Sequence, residues 1–479
     1  MDRILLINPK IGIYSKVFKP FLPLSLLAAA STADRNGIGI TILDQHTDPN
    51  WESTLRRILI SEKPILAGIT SMTGAQLKGA LRAARIIRES SRIPIVWGGV
   101  HASLFPEGTL DHPDVDFLVV GEGETALPAL IDHLLARRDP ATIPGLGFKQ
   151  NGIPVINPRG PFHDLDQLPS SPYHLIQLDH YIHTYFWEKR VIDMESSRGC
   201  PYNCGFCYNE TYNCRKWRAL SPERVVGEIR RLHDSHGLSN FLFIDDSFFI
   251  DRERVNEIVR LVRMEPYRIK MGFQGRISCV SKMTDDELDR LVEAGAVFFQ
   301  FGVESGSPRI LNLINKKLTV DEVTAINRRL TRYPIVSVFY NFMVGLPTET
   351  RADVYQTVDL GWKLLSENPR AYLGTIHLYK EYPGTPLYER ALSEGYQPPR
   401  NLEEWAEYDW QSVVSRSHDP DMTRLCRAVS AASYCVDDKI RMLGDSPLAS
   451  LISDIYRPVA RFRFRNRFFR FMPEARIFG

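Results

Sequence analysis

The chain has 479 residues, which at roughly 100–200 residues per domain suggests two to four domains with sizeable cores and excludes a small stapled scaffold. Apolar residues make up 44% and charged residues 24%, with 31 Gly and 31 Pro dispersed along the chain, so it is neither disordered nor fibrous. Fifty-nine Lys and Arg against 57 Asp and Glu leave a net charge of +2, too balanced for a surface that binds polyanions as a whole, and no nucleic-acid partner is expected.

The opening MDRILLINPK has too short an apolar run before Asn8-Pro9 for an export signal, and the longest later apolar stretch, around 22–30, falls short of the roughly 20 residues that span a bilayer. The expected location is the cytoplasm. Seven cysteines, three of them within 200–207, suit a reducing compartment and a metal site better than disulfides.

From residue 1 to 137, the β-branched runs ILLIN, GITILD, ILAGIT, IPIVWGG and DFLVVGEGE alternate with amphipathic stretches at 21–35, 51–60, 76–89 and 126–137. Such alternation predicts an α/β domain, a Rossmann-like doubly wound parallel sheet whose ligand edge is the carboxyl ends of its strands. Those ends carry Asn8, Asp44, Ser71, Gly98, Gly99 and Gly121. Residues 138–190 are rich in Pro and Gly and read as a linker with a small hairpin. Over 191–390 the alternation resumes with VIDMES, NFLFID, IKMGFQG, VFFQFGVES, IVSVFYNFMVG and TIHLY, and helices are predicted at 222–236, 252–263, 285–293 and 320–330. Six such strands suggest a second α/β unit of barrel type, and 391–479 reads as a mainly helical extension.

The strongest chemical signal is SSRGCPYNCGFCYN, directly after VIDMES, where Cys200, Cys204 and Cys207 form CxxxCxxC. Three thiolates on one short loop can hold three irons of a cubane and leave the fourth open to a substrate. The competing reading is a zinc knuckle, but structural zinc normally closes with four ligands from two separated arms. Cys214 is read as a loop thiol, because a fourth thiolate would close the open iron. Cys279, Cys426 and Cys435 lie in apolar contexts and read as packing residues.

This loop, with Phe206 before its last cysteine, resembles the signature of the radical SAM superfamily. The resemblance implies a partial (β/α)6 barrel binding a [4Fe–4S] cluster and S-adenosyl-L-methionine (SAM). Matching strand ends are FLFIDDSFF with Asp245 and Asp246, GFQGRIS with Gln274 and Arg276, FGVESGS with Glu304 and Ser305, and NFMVGLPTET with Gly345 and Glu349. Barrel sites are assembled from strand carboxyl ends. Glu304 suits the ribose hydroxyls or amino group of SAM, Arg276 its carboxylate, and Phe206 with the strand ending at Gly345 its adenine. Of the adjacent Asp245 and Asp246, at most one faces the pocket; Asp245 is assigned to SAM.

The amino-terminal domain resembles the cobalamin-binding domain fused ahead of such barrels in the branch that includes the anaerobic Mg-protoporphyrin monomethyl ester cyclase and C-methyltransferases. NPK at 8–10, SMTG at 71–74, WGGVHAS at 97–103 and VGEGE at 120–124 carry this, and Asn8, Ser71, Thr73, Gly98, Gly99, His101, Gly121 and Glu122 are assigned to cobalamin. Ser71 and Thr73 supply hydroxyls, and the paired glycines permit close backbone approach. A GxGxxG dinucleotide fingerprint is absent from the first turn. The DxHxxG pattern that supplies a histidine to cobalt is also absent, and His46 in DQH lacks the following glycine, so it is not expected to be a cobalt ligand.

The resemblance implies an enzyme that cleaves SAM to a 5′-deoxyadenosyl radical and methylates an unactivated carbon. Alternatives are radical cyclisation, dehydration or rearrangement without methyl transfer, and a non-catalytic corrinoid or cluster sensor. Tyr379, Tyr382, Trp405, Tyr408 and Trp410 could line an apolar pocket for a lipid, isoprenoid or tetrapyrrole, or belong to the core. A reducing partner such as flavodoxin or ferredoxin is implied. The terminal stretch interleaves seven arginines, Arg457 to Arg476, with six Phe; the rings pack on the barrel with solvated arginines, or the stripe makes peripheral contact with an anionic membrane.

Overall fold

The computed structural model describes residues 2–12, 19–136, 139–408, 420–439, 447–470 and 472. Trp410 and Arg476 lie outside the described residues. Two seven-stranded sheets organise the chain. The first has the order β2-β1-β3-β4-β5-β6-β7, with β1 Arg3–Asn8, β2 Gly39–Asp44, β3 Leu66–Thr70, β4 Ile95–Gly98, β5 Phe117–Val119, β6 Leu146–Gln150 and β7 Ile153–Ile156. Strands β1 to β5 are parallel, and the β6–β7 hairpin adds antiparallel to β5. The hairpin expected within the linker therefore extends the first sheet.

Strand β1 reads as an unbroken apolar run because both of its faces are covered. Ile4 and Leu6 pack with Leu26, Ala30, Leu127 and Leu130 of the helices Leu24–Arg35 and Gly123–Ala136. Leu5 and Ile7 pack with Leu55, Leu77 and Ala80 of the helices Trp51–Ser61 and Gln76–Ser90. Helix 24–35 starts three residues later than the periodicity suggests, since Pro20 and Pro23 interrupt the segment before it.

The second sheet has the order β16-β15-β14-β13-β12-β9-β8 and curls as a half-barrel. Its strands are β8 His183–Tyr185, β9 Glu188–Met194, β12 Asn240–Phe243, β13 Lys270–Gly275, β14 Ala296–Glu304, β15 Ser337–Val344 and β16 Ala371–Leu378; β10 Ser197–Arg198 and β11 Arg218–Ala219 form a separate short ladder. All pairings in the half-barrel are parallel except β8 with β9. Phe241, Phe243, Phe273, Phe299 and Phe301 point to the helix-covered side and join the largest core. The alternate residues Val191, Leu242, Phe298, Phe339 and Tyr372 form a second cluster with Trp187, which plugs the bottom of the curled face.

The helices at 222–236, 285–293 and 320–330 have the boundaries their sequence signals predict, and 252–262 is one residue shorter. Reciprocal capping boxes, Thr284 with Glu287 and Thr319 with Glu322, fix two of the starts.

The helical extension is divided between the two cores. Trp405, on the helix Leu402–Ala406, is buried in the first domain's core. The helix Pro420–Ser433 covers the edge strand β16. There the Leu373 amide donates to Asp437 Oδ2 at 2.8 Å and the Ile376 amide to Ser433 Oγ at 3.1 Å, which satisfies donors that an open sheet edge would expose. Among the described residues no helix is long and apolar enough to cross a membrane.

Candidate functional site

The cysteine loop leaves the end of β9 and is pinned at both ends. Asp245, at the end of β12, accepts the Ser196 amide at 2.7 Å, Ser196 Oγ at 2.7 Å and Ser197 Oγ at 2.6 Å. Arg254 donates to the Ser196 carbonyl at 2.9 Å. Asp246 Oδ2 accepts the Gly199 amide at 2.8 Å. Gly199 has φ 86°, and a Cβ there would lie 2.0 Å from the Lys216 carbonyl, so glycine is required where the chain turns into the cysteines. At the far side the Gly205 amide donates to the Ile314 carbonyl at 2.8 Å, and its own carbonyl accepts the Leu387 amide at 2.9 Å.

On this loop Cys204 is buried, while Cys200 and Cys207 are partly exposed. Burial pushes the Cys207 thiol up to about 12, so only a bound metal would hold it as thiolate near neutrality. Arg276 sets its guanidinium 3.8 Å over the Tyr202 ring, with Nη1 3.3 Å from Cys204 Sγ and Nη2 on the Lys316 carbonyl. The fork assigned to the SAM carboxylate is thus directed at the cysteine loop. Among the described residues no three His, Cys, Asp or Glu side chains converge on a single ion. A cubane asks for something else, since each thiolate takes its own iron, and three unpaired cysteines on one pinned loop beside a cation fit that donor set. Cys214 is exposed, with Sγ 3.7 Å from the Thr211 carbonyl.

Above the apolar plug the curled face turns polar. Gln274 stands in register with Gln300, their amides 3.4 Å apart, and Gly302 in register with Asn341. Glu304 ends β14 with φ 75°, and its Oε1 accepts Lys316 Nζ at 2.7 Å. Both side chains are buried, so each charge is tolerable because of the other. Oε2 accepts no bond among the described residues, which leaves one carboxylate oxygen for a ligand hydroxyl or ammonium. A Cβ at Gly302 would lie 2.2 Å from Oε1, so the glycine makes room for this carboxylate. Lys316 Nζ also stands 5.6 Å from the Phe206 ring centre.

Two other residues assigned to SAM are committed elsewhere. Asp245 is fully engaged beneath the loop; its neighbour Asp246 is the one that borders a cavity. Ser305 is buried, 3.1 Å from Thr357 Oγ1, and accepts the Ser307 amide, so it shapes the turn. Gly345 has φ 85° and donates its amide to Glu349 Oε2 at 2.5 Å, joined by Leu346 at 3.2 Å. Burial pushes the Glu349 carboxyl up to about 8.

The strand ends of the first domain face this loop across a cavity of about 1160 Å³, mouth included. Gly98, Gly99, Gly121 and Glu122 border it on one side, and Arg198, Tyr208 and Asp246 on the other. A Cβ on Gly98 would meet nothing within 4 Å, so a side chain there would project into open space. At Gly99, with φ 93°, a Cβ would fall 2.6 Å from the Ser71 carbonyl. This glycine-floored slot, running inward beside Ala28, Gly68 and Leu127, fits the flat, bulky tail of a corrinoid. Arg198 crosses the boundary, bonding Glu122 at 2.9 Å, Glu124 at 2.6 Å and Glu195 at 2.7 Å; Arg218 also donates to Glu122 at 2.9 Å.

Other residues assigned to cobalamin are used within the domain. Asn8 donates to Asp44 Oδ2 at 2.9 Å, and Ser71 Oγ donates to the Gly98 carbonyl at 2.8 Å. Thr73 Oγ1 is 2.9 Å from His101 Nδ1. His101 is fully buried against Phe105 and Trp405, its Nε2 is unpartnered, and burial pushes its pKa down to about 3. His46 is spent on both nitrogens: Nδ1 lies 2.8 Å from Asp44 Oδ1, and Nε2 accepts the Ile11 amide at 3.1 Å.

A second, apolar cavity of about 1170 Å³, mouth included, adjoins the cysteine loop. Met72, Thr73, Val100 and Leu104 of the first domain line it together with Phe206, Tyr208, Tyr382 and Tyr408. Tyr379 is buried in a separate apolar cluster, and Trp405 in the first domain's core. Sequence reasoning missed Arg198, Lys316, Tyr208 and Met72. Arg198 and Tyr208 flank the cysteines and could have been included with them, whereas Lys316 sits in a loop with no periodic signal.

Comparison with known proteins agrees with this two-domain arrangement. The model of the Radical SAM superfamily matches residues 194–361, and that of the B12 binding domain matches residues 12–131. An uncharacterized methyltransferase of Pyrococcus horikoshii is 29% identical over 86% of this chain and 87% of its own length. The anaerobic magnesium-protoporphyrin IX monomethyl ester cyclase of Cereibacter sphaeroides is 30% identical over 61% of this chain and 48% of its own. Among solved structures, the cobalamin-dependent radical enzyme OxsB, with aqua-cobalamin and SAM bound, superposes with a TM-score of 0.76 at 18% identity, covering 100% of this chain and 74% of that one.

Proposed function

We propose that this chain, an enzyme of the radical SAM class carrying a B12-binding domain, methylates an unactivated carbon of an apolar small molecule. Its cofactors are a [4Fe–4S] cluster, SAM and cobalamin; when bound, the cluster and SAM supply a carbon-centred radical, and the corrinoid supplies a methyl group. The observation that carries the reading is the second cavity, where strand-end residues of the B12-binding domain and the aromatic residues flanking Cys207 line one apolar chamber. A substrate carbon there lies between the two cofactor-binding edges.

In this reading Cys200, Cys204 and Cys207 hold the cluster, and Glu304, held in place by Lys316, takes a hydroxyl or the ammonium of SAM through its remaining oxygen. Phe206 stands beside Lys316, and Gln274 lies on the same polar strand-end face, in register with Gln300. Gly98, Gly99 and Gly121 let the corrinoid tail approach the backbone. A small ferredoxin or flavodoxin in the cytoplasm would supply the electron.

Anaerobically reconstituted protein with cobalamin and a strong reductant should form 5′-deoxyadenosine from SAM, and Cys204→Ala should form none. Transfer of labelled methyl to an apolar acceptor would support the methyltransferase reading. Similarity to the cyclase favours one competitor, ring closure without methyl transfer; nucleoside formation with an unmethylated product would select it.

A further inference from the structure

The helix Pro447–Asn466 is amphipathic in an unusual sense. Its inward side is anchored by Ser453, Ala460, Arg463 and Phe464, all buried. Its outward side is apolar: Leu451 is 55% exposed, Ile455 70%, Val459 42% and Phe462 56%. The spacing of three and four residues puts these side chains on one face, and Ile452 widens it. Just beyond the helix, Phe468 is also exposed and packs edge-on to Phe462. Six of the thirteen exposed large hydrophobic residues among those described fall in this one segment. An apolar patch of this continuity is uncommon on a surface that meets only water.

The charges around it are of one sign. Between 447 and 470 there are six arginines and one acidic residue, Asp454. Arg457 pairs with Asp438 and Asp454, and Arg467 with Asp359, but Arg465 and Arg470 have no carboxylate partner among the described residues. Arg461 uses Nε on the Val436 carbonyl and leaves its terminal nitrogens for solvent. A protein partner for so apolar a stripe would need a matching acidic rim. A bilayer with anionic headgroups supplies both an apolar interior and diffuse negative charge.

We propose that the outward face of helix 447–466 docks the enzyme in the plane of an anionic membrane, with Ile455, Val459, Phe462 and Phe468 entering the acyl boundary and Arg461, Arg465 and Arg470 meeting the headgroups. This surface is separate from the cofactor cavities, so the proposal does not depend on the reaction assigned to them.

The test is cosedimentation of the full chain with vesicles of phosphatidylcholine alone or mixed with phosphatidylglycerol. Binding to the mixed vesicles should exceed binding to the neutral ones about tenfold and weaken with added salt. The double variant Ile455→Asp, Phe462→Asp should lose at least about tenfold in binding while its thermal midpoint stays put, because neither side chain packs inward. The pair Arg465→Gln, Arg470→Gln, which spares the apolar face, should lose only the preference for anionic lipid. Failure of the wild type to bind anionic vesicles overturns the proposal. So does binding that the aspartates leave untouched, or a wild-type dimer in sedimentation that the aspartates dissociate without altering vesicle binding, which would assign the face to a second copy of the chain.

Discussion

The two sheets follow the same alternating strand–helix grammar and arrive at different sites. In the first, helices cover both faces, so the cavity reaches mid-strand only along a slot of small and apolar residues beside Gly68, Leu6 and Val96, and its floor is strand-end backbone at Gly98, Gly99 and Gly121. In the second, helices cover one face only, and the curled face carries a gradient from Val191, Leu242 and Phe298 at the bottom to Gln274, Asn341 and Glu304 at the top. One domain receives its cofactor by leaving room, the other by presenting functional groups. Substitutions should therefore fail in opposite ways: adding atoms harms the first site, and removing them harms the second.

The most severe break is expected from Gly98→Leu. Its Cβ would meet nothing within 4 Å and the rest of the side chain would extend into the cavity, so cobalamin retention on gel filtration should fall below detection while the iron content and melting temperature hold. Next is Arg276→Gln, which removes a cation beside Cys204 without emptying the loop. The reconstituted cluster should become harder to reduce, measurable as a lower midpoint potential in an EPR-monitored titration; an unchanged potential would place Arg276 in a purely structural role. The smallest effect is on Glu349. Its folded pKa of about 8 lies above the ordinary carboxyl value, so the stability it confers is complete below pH 4.5 and declines as pH rises toward 8, by at most about 1.4 kcal/mol per pH unit. Glu349→Gln keeps an acceptor for the Gly345 and Leu346 amides and should flatten that part of the stability–pH curve.

Much of this architecture is legible in the sequence because periodicity reports burial. The period-two runs placed the strands and the 3.6-period stretches the helices, two of which begin in the structure at capping boxes on Thr284 and Thr319. The β6–β7 hairpin was legible as a hairpin, but nothing local says which sheet an edge strand will join. The site is less transparent for a similar reason. Asp245, Ser305 and Asn8 are the right residue types at strand ends, yet such residues also serve to tie loops down, and only the fold reveals that their hydrogen bonds are spent on Ser196, the Ser307 turn and Asp44. Lys316 shows the converse. It is a lone lysine in a loop until the chain sets its ammonium against Glu304.

The cluster of Arg198 and Arg218 with Glu122, Glu124 and Glu195 bears on how the molecule can be dissected. Arg198, Arg218, Glu122 and Glu124 are largely withdrawn from water, and each of these four is neutralised by a residue from the other side of the domain boundary. Cutting the chain in two would bare Glu122 and Glu124 on one fragment and Arg198 on the other, at the rim of the first cavity. Trp405 would be stranded as well, since its core lies in the domain farthest from it in sequence. The corrinoid half is thus not a portable module that could be grafted or studied by itself; the smallest unit that keeps these contacts spans both sheets and the return segment carrying Trp405.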